Sequence, residues 1–314
     1  MSDKALLPWQ RESWQRLVDL VAAQRLPHAL LLSGPPGTGK RQFAAALAAL
    51  LLCARPGAAA CGQCRSCHLL AAGSHPDELV VEPEEEGRQI RVEAVRKLVG
   101  FAVQTPSLGR RKVIRLAAAE RLNHHAVNAL LKSLEEPPPG THVILVSDQA
   151  GVLPATLRSR CQQLHFPLPP RAEAEQWLEP WAEDSAVLAE ALAEAGGRPL
   201  QARALLEQSR LELRRQWRRQ LKELLTGESH AVAVAEQWQA QPLGEVLGWL
   251  EQRLALAIRQ ALVPAADADE LTRLLAERGA AALLRWRDRV LERRQQWLSG
   301  LHFSQPLMLE DLLL

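Results

Sequence analysis

The chain has 314 residues, a formal net charge of +2 at pH 7, and 47% hydrophobic and 24% charged residues. These values are typical of a globular protein long enough for two or three domains. They exclude a chain that is basic overall, so any contact with nucleic acid would need a local basic patch. The sequence also lacks a charge-free apolar run of about 18 residues, so we expect no membrane span.

The first predicted strand, Ala29–Ser33, leads into a phosphate-binding loop and a helix at Arg41–Leu52. Glycines in such a loop let backbone N–H groups approach phosphates, and its lysine adds a point charge. The working pattern ends in Ser or Thr, which binds Mg²⁺, but Arg41 stands at that place. An ordinary turn is the alternative, which the flanking elements disfavour. The candidate nucleotide-binding residues are Gly34, Gly37, Thr38, Gly39 and Lys40.

A cluster of four cysteines follows this helix: Cys53, Cys61, Cys64 and Cys67. Two overlapping C-x2-C steps place thiolates on a tight turn, and the first cysteine completes a tetrahedral set. Zn²⁺ is the first choice of metal and an iron–sulfur cluster the second, and a shell of four thiolates indicates a structural role. Four unrelated thiols, or His68 in place of one thiolate, are the alternatives. Such a cluster suits a reducing compartment, and no signal peptide follows Met1, so we expect a cytoplasmic protein.

Strands and helices alternate over the next hundred residues, which predicts a parallel sheet covered on both faces. The acidic run Glu84–Glu86 indicates an exposed loop. The further predicted strands are Glu78–Glu82, Lys112–Leu116, Val143–Ser147 and Gln163–Phe166, and the predicted helices between them include Val92–Gln104 and Ala126–Glu135.

The third strand runs into Ala117 and Ala118. In P-loop ATPases an acidic pair ends the corresponding strand, where Asp holds Mg²⁺ and Glu orients water. The sequence NALLKSLEEPP follows at 128–138, and TLRSRC at 156–161. A proline-rich stretch at 167–170 then indicates a linker, and the rest of the chain is helical in pattern.

In this combination of motifs the chain resembles the clamp-loader members of the AAA+ ATPase superfamily, and among them subunits of the bacterial DNA polymerase III clamp loader. The resemblance is strong over residues 1–207 and rests on length and helicity beyond them. It implies an α/β AAA+ base domain with a parallel sheet flanked by helices, a small helical lid and an all-α collar. The implied domain ranges are 1–166, 167–207 and 208–314.

The resemblance also implies the partners. Collars of this family hold five subunits in a ring, here a hetero-pentamer with ATPase motor subunits and a clamp-opening subunit. The ring opens a sliding clamp and places it on primed DNA. Arg160 of the SRC triplet matches the arginine finger, which stabilises the γ-phosphate in a neighbouring subunit's site.

The same comparison implies that the chain's own site has lost its chemistry. Ala117 and Ala118 stand where the metal Asp and the catalytic Glu belong. A polar sensor falls at Ser147 or Asp148, while Pro199 occupies the place of the lid's sensor arginine. The resemblance thus implies a subunit without hydrolysis of its own, compatible with bound ATP or ADP. The alternatives are an active AAA+ motor subunit and a zinc-bearing DNA-binding protein.

Overall fold

The computed structural model describes residues 6–83, 89–208, 210–265, 268–298 and 304–313. The chain divides into two compact units, Met1–Arg203 and Ala204–Leu314. The predicted loop at Glu84–Glu86 lies outside the described residues, and the three-domain division stays a prediction. Among the helices of the described ranges, none has the length and apolar character needed to cross a membrane.

The first unit is built on a five-stranded sheet with the order β2-β3-β4-β1-β5, in which every pair of neighbours is parallel. Strand β1, which lies between β4 and β5, is buried at every position, as expected where helices cover both faces. Together with the mostly helical C-terminal part, this sheet confirms the predicted fold class. The strands are β1 (Ala29–Ser33), β2 (Glu78–Val81), β3 (Lys112–Leu116), β4 (Thr141–Ser147) and β5 (Gln162–His165).

Helices pack on both faces of this sheet. Leu30 and Leu32 of β1 pack with Phe43 on one face, whereas Leu31 joins Leu130 on the other. This alternation follows from the two-residue period of a strand. The helices are α1 (Arg11–Ala22), α2 (Lys40–Leu52), α3 (Arg65–Ala71), α4 (Val92–Ala102), α5 (His124–Glu135), α6 (Ala155–Arg158), α7 (Arg171–Leu178), α8 (Ser185–Glu194) and α9 (Pro199–Glu207).

Helix α5 begins two residues before its predicted start. The side chain of Asn123 accepts a hydrogen bond of 2.8 Å from the backbone N–H of Ala126, which caps the helix. His124 and His125 therefore form the first turn of α5. The other element boundaries differ from the predictions by two residues or fewer.

A buried carboxylate ties the loop before β3 to the sheet. Asp77, just before β2, is fully buried and accepts backbone hydrogen bonds from Ser107 at 2.6 Å and Leu108 at 2.8 Å. Its nearest cation is Lys112, with the two charged atoms 3.8 Å apart. Burial alone would raise the pKa of Asp77, but these N–H donors and the ammonium group outweigh burial and lower it.

Every regular element among the described residues of the second unit is a helix. Its core includes three mutually packed indoles, Trp217, Trp238 and Trp249, with ring centroids 5.5–6.0 Å apart. Arg253 is also buried and pairs with Asp269 at 3.2 Å. The helices are α10 (Leu211–Thr226), α11 (Ala231–Trp238), α12 (Leu243–Leu262), α13 (Glu270–Ala276), α14 (Ala280–Leu298) and α15 (Gln305–Leu313).

Candidate nucleotide and metal sites

The predicted phosphate-binding loop connects β1 to α2, as the sequence predicts. Gly34 and Gly39 have φ angles of +143° and +89°, which favour glycine. A Cβ atom at Gly34 would lie 2.1 Å from the carbonyl oxygen of Phe166, and one at Gly39 would lie 2.3 Å from Leu7 Cδ1. Both glycines are therefore required by the surrounding chain as well as by the loop's backbone.

The side chain of Lys40 contacts Asp148 and the backbone of the loop itself. Its ammonium nitrogen lies 2.7 Å from Asp148 Oδ1 and donates a hydrogen bond of 2.6 Å to the Pro35 carbonyl, and the side chain is only 3% exposed. Burial lowers the pKa of Lys40, and the carboxylates of Asp148 and Glu120 offset part of this effect. The charge that would meet a nucleotide phosphate is thus neutralised by Asp148, at the end of β4.

The backbone of the loop is braced from two sides. The side chains of Trp9 and Gln10 donate hydrogen bonds of 3.0 and 2.9 Å to the Thr38 carbonyl. The backbone N–H of Leu200, in α9, donates to the Gly37 carbonyl at 3.2 Å. The N-terminal segment and α9 therefore hold the loop in its present conformation.

Aromatic side chains extend the contact between the N-terminal segment and α7. The ring centroids of Trp9 and Trp177 lie 5.5 Å apart in an edge-to-face arrangement, and Trp177 packs on Trp181 with centroids 4.9 Å apart. The guanidinium of Arg203 lies 4.6 Å from the centroid of Trp181. These contacts connect the predicted lid to the residues that brace the loop.

The end of β3 carries no acidic side chain. Ala117 and Ala118 are buried there, and Ala118 has a φ of +58°, which is uncommon for a residue with a side chain. The nearby acid is Glu120, in a 3-10 turn, whose carboxylate accepts a hydrogen bond of 3.3 Å from the Asp148 backbone N–H. Glu120 also lies close enough to Lys40 for its carboxylate to oppose the lowering of the pKa of Lys40 by burial.

The two predicted sensor positions lie at the end of β4 and at the start of α9. Ser147 is buried at the end of β4, and its hydroxyl accepts a hydrogen bond of 3.2 Å from the Gln149 backbone N–H. Pro199 begins α9. The preceding Arg198 donates from Nε to the Ala195 carbonyl at 2.6 Å.

Arg160 lies two residues beyond α6, at the protein surface. Its Nη1 donates a hydrogen bond of 2.9 Å to the Thr156 carbonyl, and its Nη2 lies 2.5 Å from Glu135 Oε1. The side chain is 35% exposed. These partners belong to α6 and α5 rather than to the phosphate-binding loop, so the predicted finger and the chain's own Lys40 have separate contacts.

The four predicted cysteine ligands converge between α2 and α3. Their sulfur atoms all lie within 4.8 Å of one another, with Cys64 and Cys67 3.5 Å apart. A tetrahedral Zn²⁺ site with Zn–S bonds of about 2.3 Å needs sulfur separations of about 3.8 Å. The cluster therefore fits a metal ion such as Zn²⁺. His68 does not belong to this cluster.

Burial and neighbouring groups shift the pKa values of the clustered thiols in opposite directions. Burial would raise the pKa of Cys64, but backbone N–H groups and neighbouring thiols lower it to about 6. Burial and the Cys64 side chain raise the pKa of Cys67 to about 12. Without a cation the four thiols cannot all ionise, since each thiolate disfavours the next. A bound divalent ion would supply the missing positive charge.

Comparison with known proteins identifies the family. The family described as "DNA polymerase III, delta subunit" matches residues 9–170. The DNA polymerase III subunit delta' of Pseudomonas aeruginosa is 43% identical over 98% of this chain and 96% of its own length. The chain belongs to the DNA polymerase III subunit delta' family. The subunit delta' of Yersinia pestis is 36% identical over 98% of this chain and 94% of its own.

A solved structure from Thermotoga maritima, a protein related to the DNA polymerase III gamma subunit, covers 97% of both chains at 15% identity with a TM-score of 0.48. The delta' relatives from Pseudomonas aeruginosa and Yersinia pestis each match 98% of this chain. The expectation of a clamp-loader subunit is therefore confirmed at the level of the delta' family.

Proposed function

We propose that this delta' family member is a non-hydrolysing subunit of the clamp loader, which supplies Arg160 to the ATP site of a neighbouring subunit. The observation that carries the proposal is the pairing of Lys40 with Asp148 beside a β3 end that holds only Ala117 and Ala118. The chain's own phosphate lysine is engaged and the groups that would hold Mg²⁺ and orient water are absent, while Arg160 remains at the surface.

Hydrolysis requires more than a phosphate cradle. In P-loop ATPases a Ser or Thr and an Asp hold the metal ion, and a further residue orients the attacking water. Arg41 and Ala117 replace the metal ligands here, and Ala118 replaces the water-orienting acid. Bound ATP or ADP is compatible with the loop, but it would have to displace Asp148 from Lys40, and we expect no turnover.

An arginine finger acts in a different subunit's site. Its guanidinium is planar and always charged, so it can meet two phosphate oxygens at once. Fingers supplied in trans contribute roughly 10³–10⁵ to turnover in related enzymes. The surface position of Arg160 allows this contact without rearrangement of the sheet or of the phosphate-binding loop.

The proposed partners follow from the family. They are the ATPase motor subunits and the clamp-opening subunit of a hetero-pentameric loader, together with the sliding clamp and primed DNA. This proposal places the chain in the cytoplasm, where bacterial DNA lies. The four cysteines would hold one structural Zn²⁺, because a shell of four thiolates leaves no position for a reactive water.

The decisive experiment compares Arg160→Ala with the parent in a reconstituted loader, measuring steady-state ATPase with clamp and primed DNA. We expect the variant to join the complex and to lower turnover at least tenfold at the site it serves. Arg160→Lys should rescue only partly, since lysine lacks the planar fork. The isolated parent chain should show no ATPase above background. Parent-like turnover by Arg160→Ala, or robust hydrolysis by the isolated chain, would contradict the proposal.

A further inference from the structure

The guanidinium of Arg160 already has an acidic partner in its own chain. Its two terminal nitrogens contact Glu135 Oε1 at 2.5 Å and the Thr156 carbonyl at 2.9 Å. A finger binds phosphate through the same terminal N–H groups that hold a carboxylate. The present contacts therefore occupy donors that a neighbour's nucleotide would need.

The position of Glu135 gives its pairing with Arg160 a physical cause. Glu135 is the last residue of α5, where the helix dipole is negative and disfavours a carboxylate. The guanidinium of Arg160 contacts the Glu135 carboxylate directly and offsets this unfavourable interaction, which explains why the Arg160 side chain lies here.

The pair is accessible enough to exchange. The side chain of Arg160 is 35% exposed and that of Glu135 is 50% exposed. Ion pairs at such exposure are weak, so a more highly charged anion can replace the carboxylate. The terminal phosphate of ATP carries more negative charge than a carboxylate, and like a carboxylate it can accept two hydrogen bonds from a guanidinium.

We propose that Glu135 is a positioning residue for Arg160. It holds the guanidinium at the end of α5 while the neighbouring site lacks nucleotide, and the phosphate takes its place when ATP arrives. This inference rests on the proposed function of Arg160. As a consequence, the free energy of ATP binding at the neighbouring subunit's site includes the cost of separating Arg160 from Glu135.

The test is Glu135→Gln in the reconstituted loader, with Glu136→Gln as the matched control, because both remove one exposed carboxylate from the same helix end. For Glu135→Gln we expect the KM for ATP to fall about two- to fivefold at low salt, the range of exposed ion pairs. The kcat should stay within about twofold, because Glu135 leaves before turnover. The shift should shrink as salt is added, and Glu136→Gln should not produce it.

A double variant shows whether Glu135 acts through Arg160. In an Arg160→Ala background, Glu135→Gln should leave the KM unchanged. An unchanged or raised KM for Glu135→Gln alone, the same fall for Glu136→Gln, or a shift that persists without Arg160 would overturn the inference. If Arg160→Ala itself leaves turnover unchanged, the proposed function fails and this inference with it. If only the KM shift is missing, the finger stands and the positioning role fails.

Discussion

Replacing Lys40 by methionine tests whether this lysine stabilises the fold or binds nucleotide. Methionine keeps the aliphatic volume and removes the ammonium with its contacts to Pro35 and Asp148. A hydrogen bond from a charged donor contributes about 1.5–3 kcal/mol and a partly exposed ion pair about 0–1 kcal/mol. Two effects reduce this sum. The variant no longer buries a charge, and the Pro35 carbonyl still accepts the Thr38 hydroxyl at 3.0 Å.

We therefore expect Lys40→Met to lower the free energy of unfolding by about 1–2 kcal/mol. For a unit of this size that corresponds to a fall in Tm of about 2–8 °C. ATP turnover and clamp loading by the reconstituted loader should stay at the parent's level. Arg41→Met is the matched control, because Arg41 is the exposed neighbour and a surface substitution changes stability by about 0.5 kcal/mol or less.

Two measurements check these expectations: thermal unfolding of the full chain, and steady-state ATPase of the loader with clamp and primed DNA. The reasoning would be refuted if the Lys40→Met variant were as stable as the parent but lowered the ATPase rate of the loader as strongly as Arg160→Ala does. Such a result would mean that Lys40 contributes to nucleotide binding or hydrolysis.

Two further outcomes follow from the first unit. Protein purified without chelator should contain one Zn²⁺ per chain. The Cys64→Ser variant should lose this ion and become sensitive to protease at residues 53–67, because metal binding and local folding are coupled. A metal analysis that finds no zinc in the parent protein would contradict this expectation. The lowered pKa of Asp77 means that its contribution to stability is present above the unfolded value of about 4 and is lost as pH falls through the folded pKa. Unfolding by urea across pH 2–6 should show this loss, and Asp77→Asn should flatten the profile; equal slopes for both proteins would argue against it.

Much of the fold was readable from local patterns. The strand Ala29–Ser33 has the predicted bounds because an apolar run of five meets a glycine-rich turn, and both signals lie in adjacent residues. Helix α5 was predicted two residues too short. Asparagine is a common N-cap residue, so Asn123 could have indicated the start of the helix. The two histidines that follow it are not strongly apolar, and the apolar periodicity therefore does not include the first turn.

The site was predictable only in part. The loop, the cysteine cluster and the proposed finger Arg160 each lie within a short motif, so the sequence alone could name these residues as candidates. The pairing of Lys40 with Asp148 and the backbone contact of Glu120 to Asp148 could not, because they join separate strand ends through the strand order. The same holds for the contact of Gln10 with the Thr38 carbonyl, which depends on how the N-terminal segment crosses the loop.

The contact between Trp9 and the Thr38 carbonyl gives the chain an intrinsic optical reporter. The sequence contains nine tryptophans and no tyrosine, so its ultraviolet emission comes from indole groups. Trp9 couples to Trp177 at 5.5 Å, close enough for the two rings to share excitation. A rearrangement of the loop would break the indole hydrogen bond and change the wavelength and polarisation of this emission. Any ligand that rearranges the loop would therefore change this emission, and its binding could be followed without an added label.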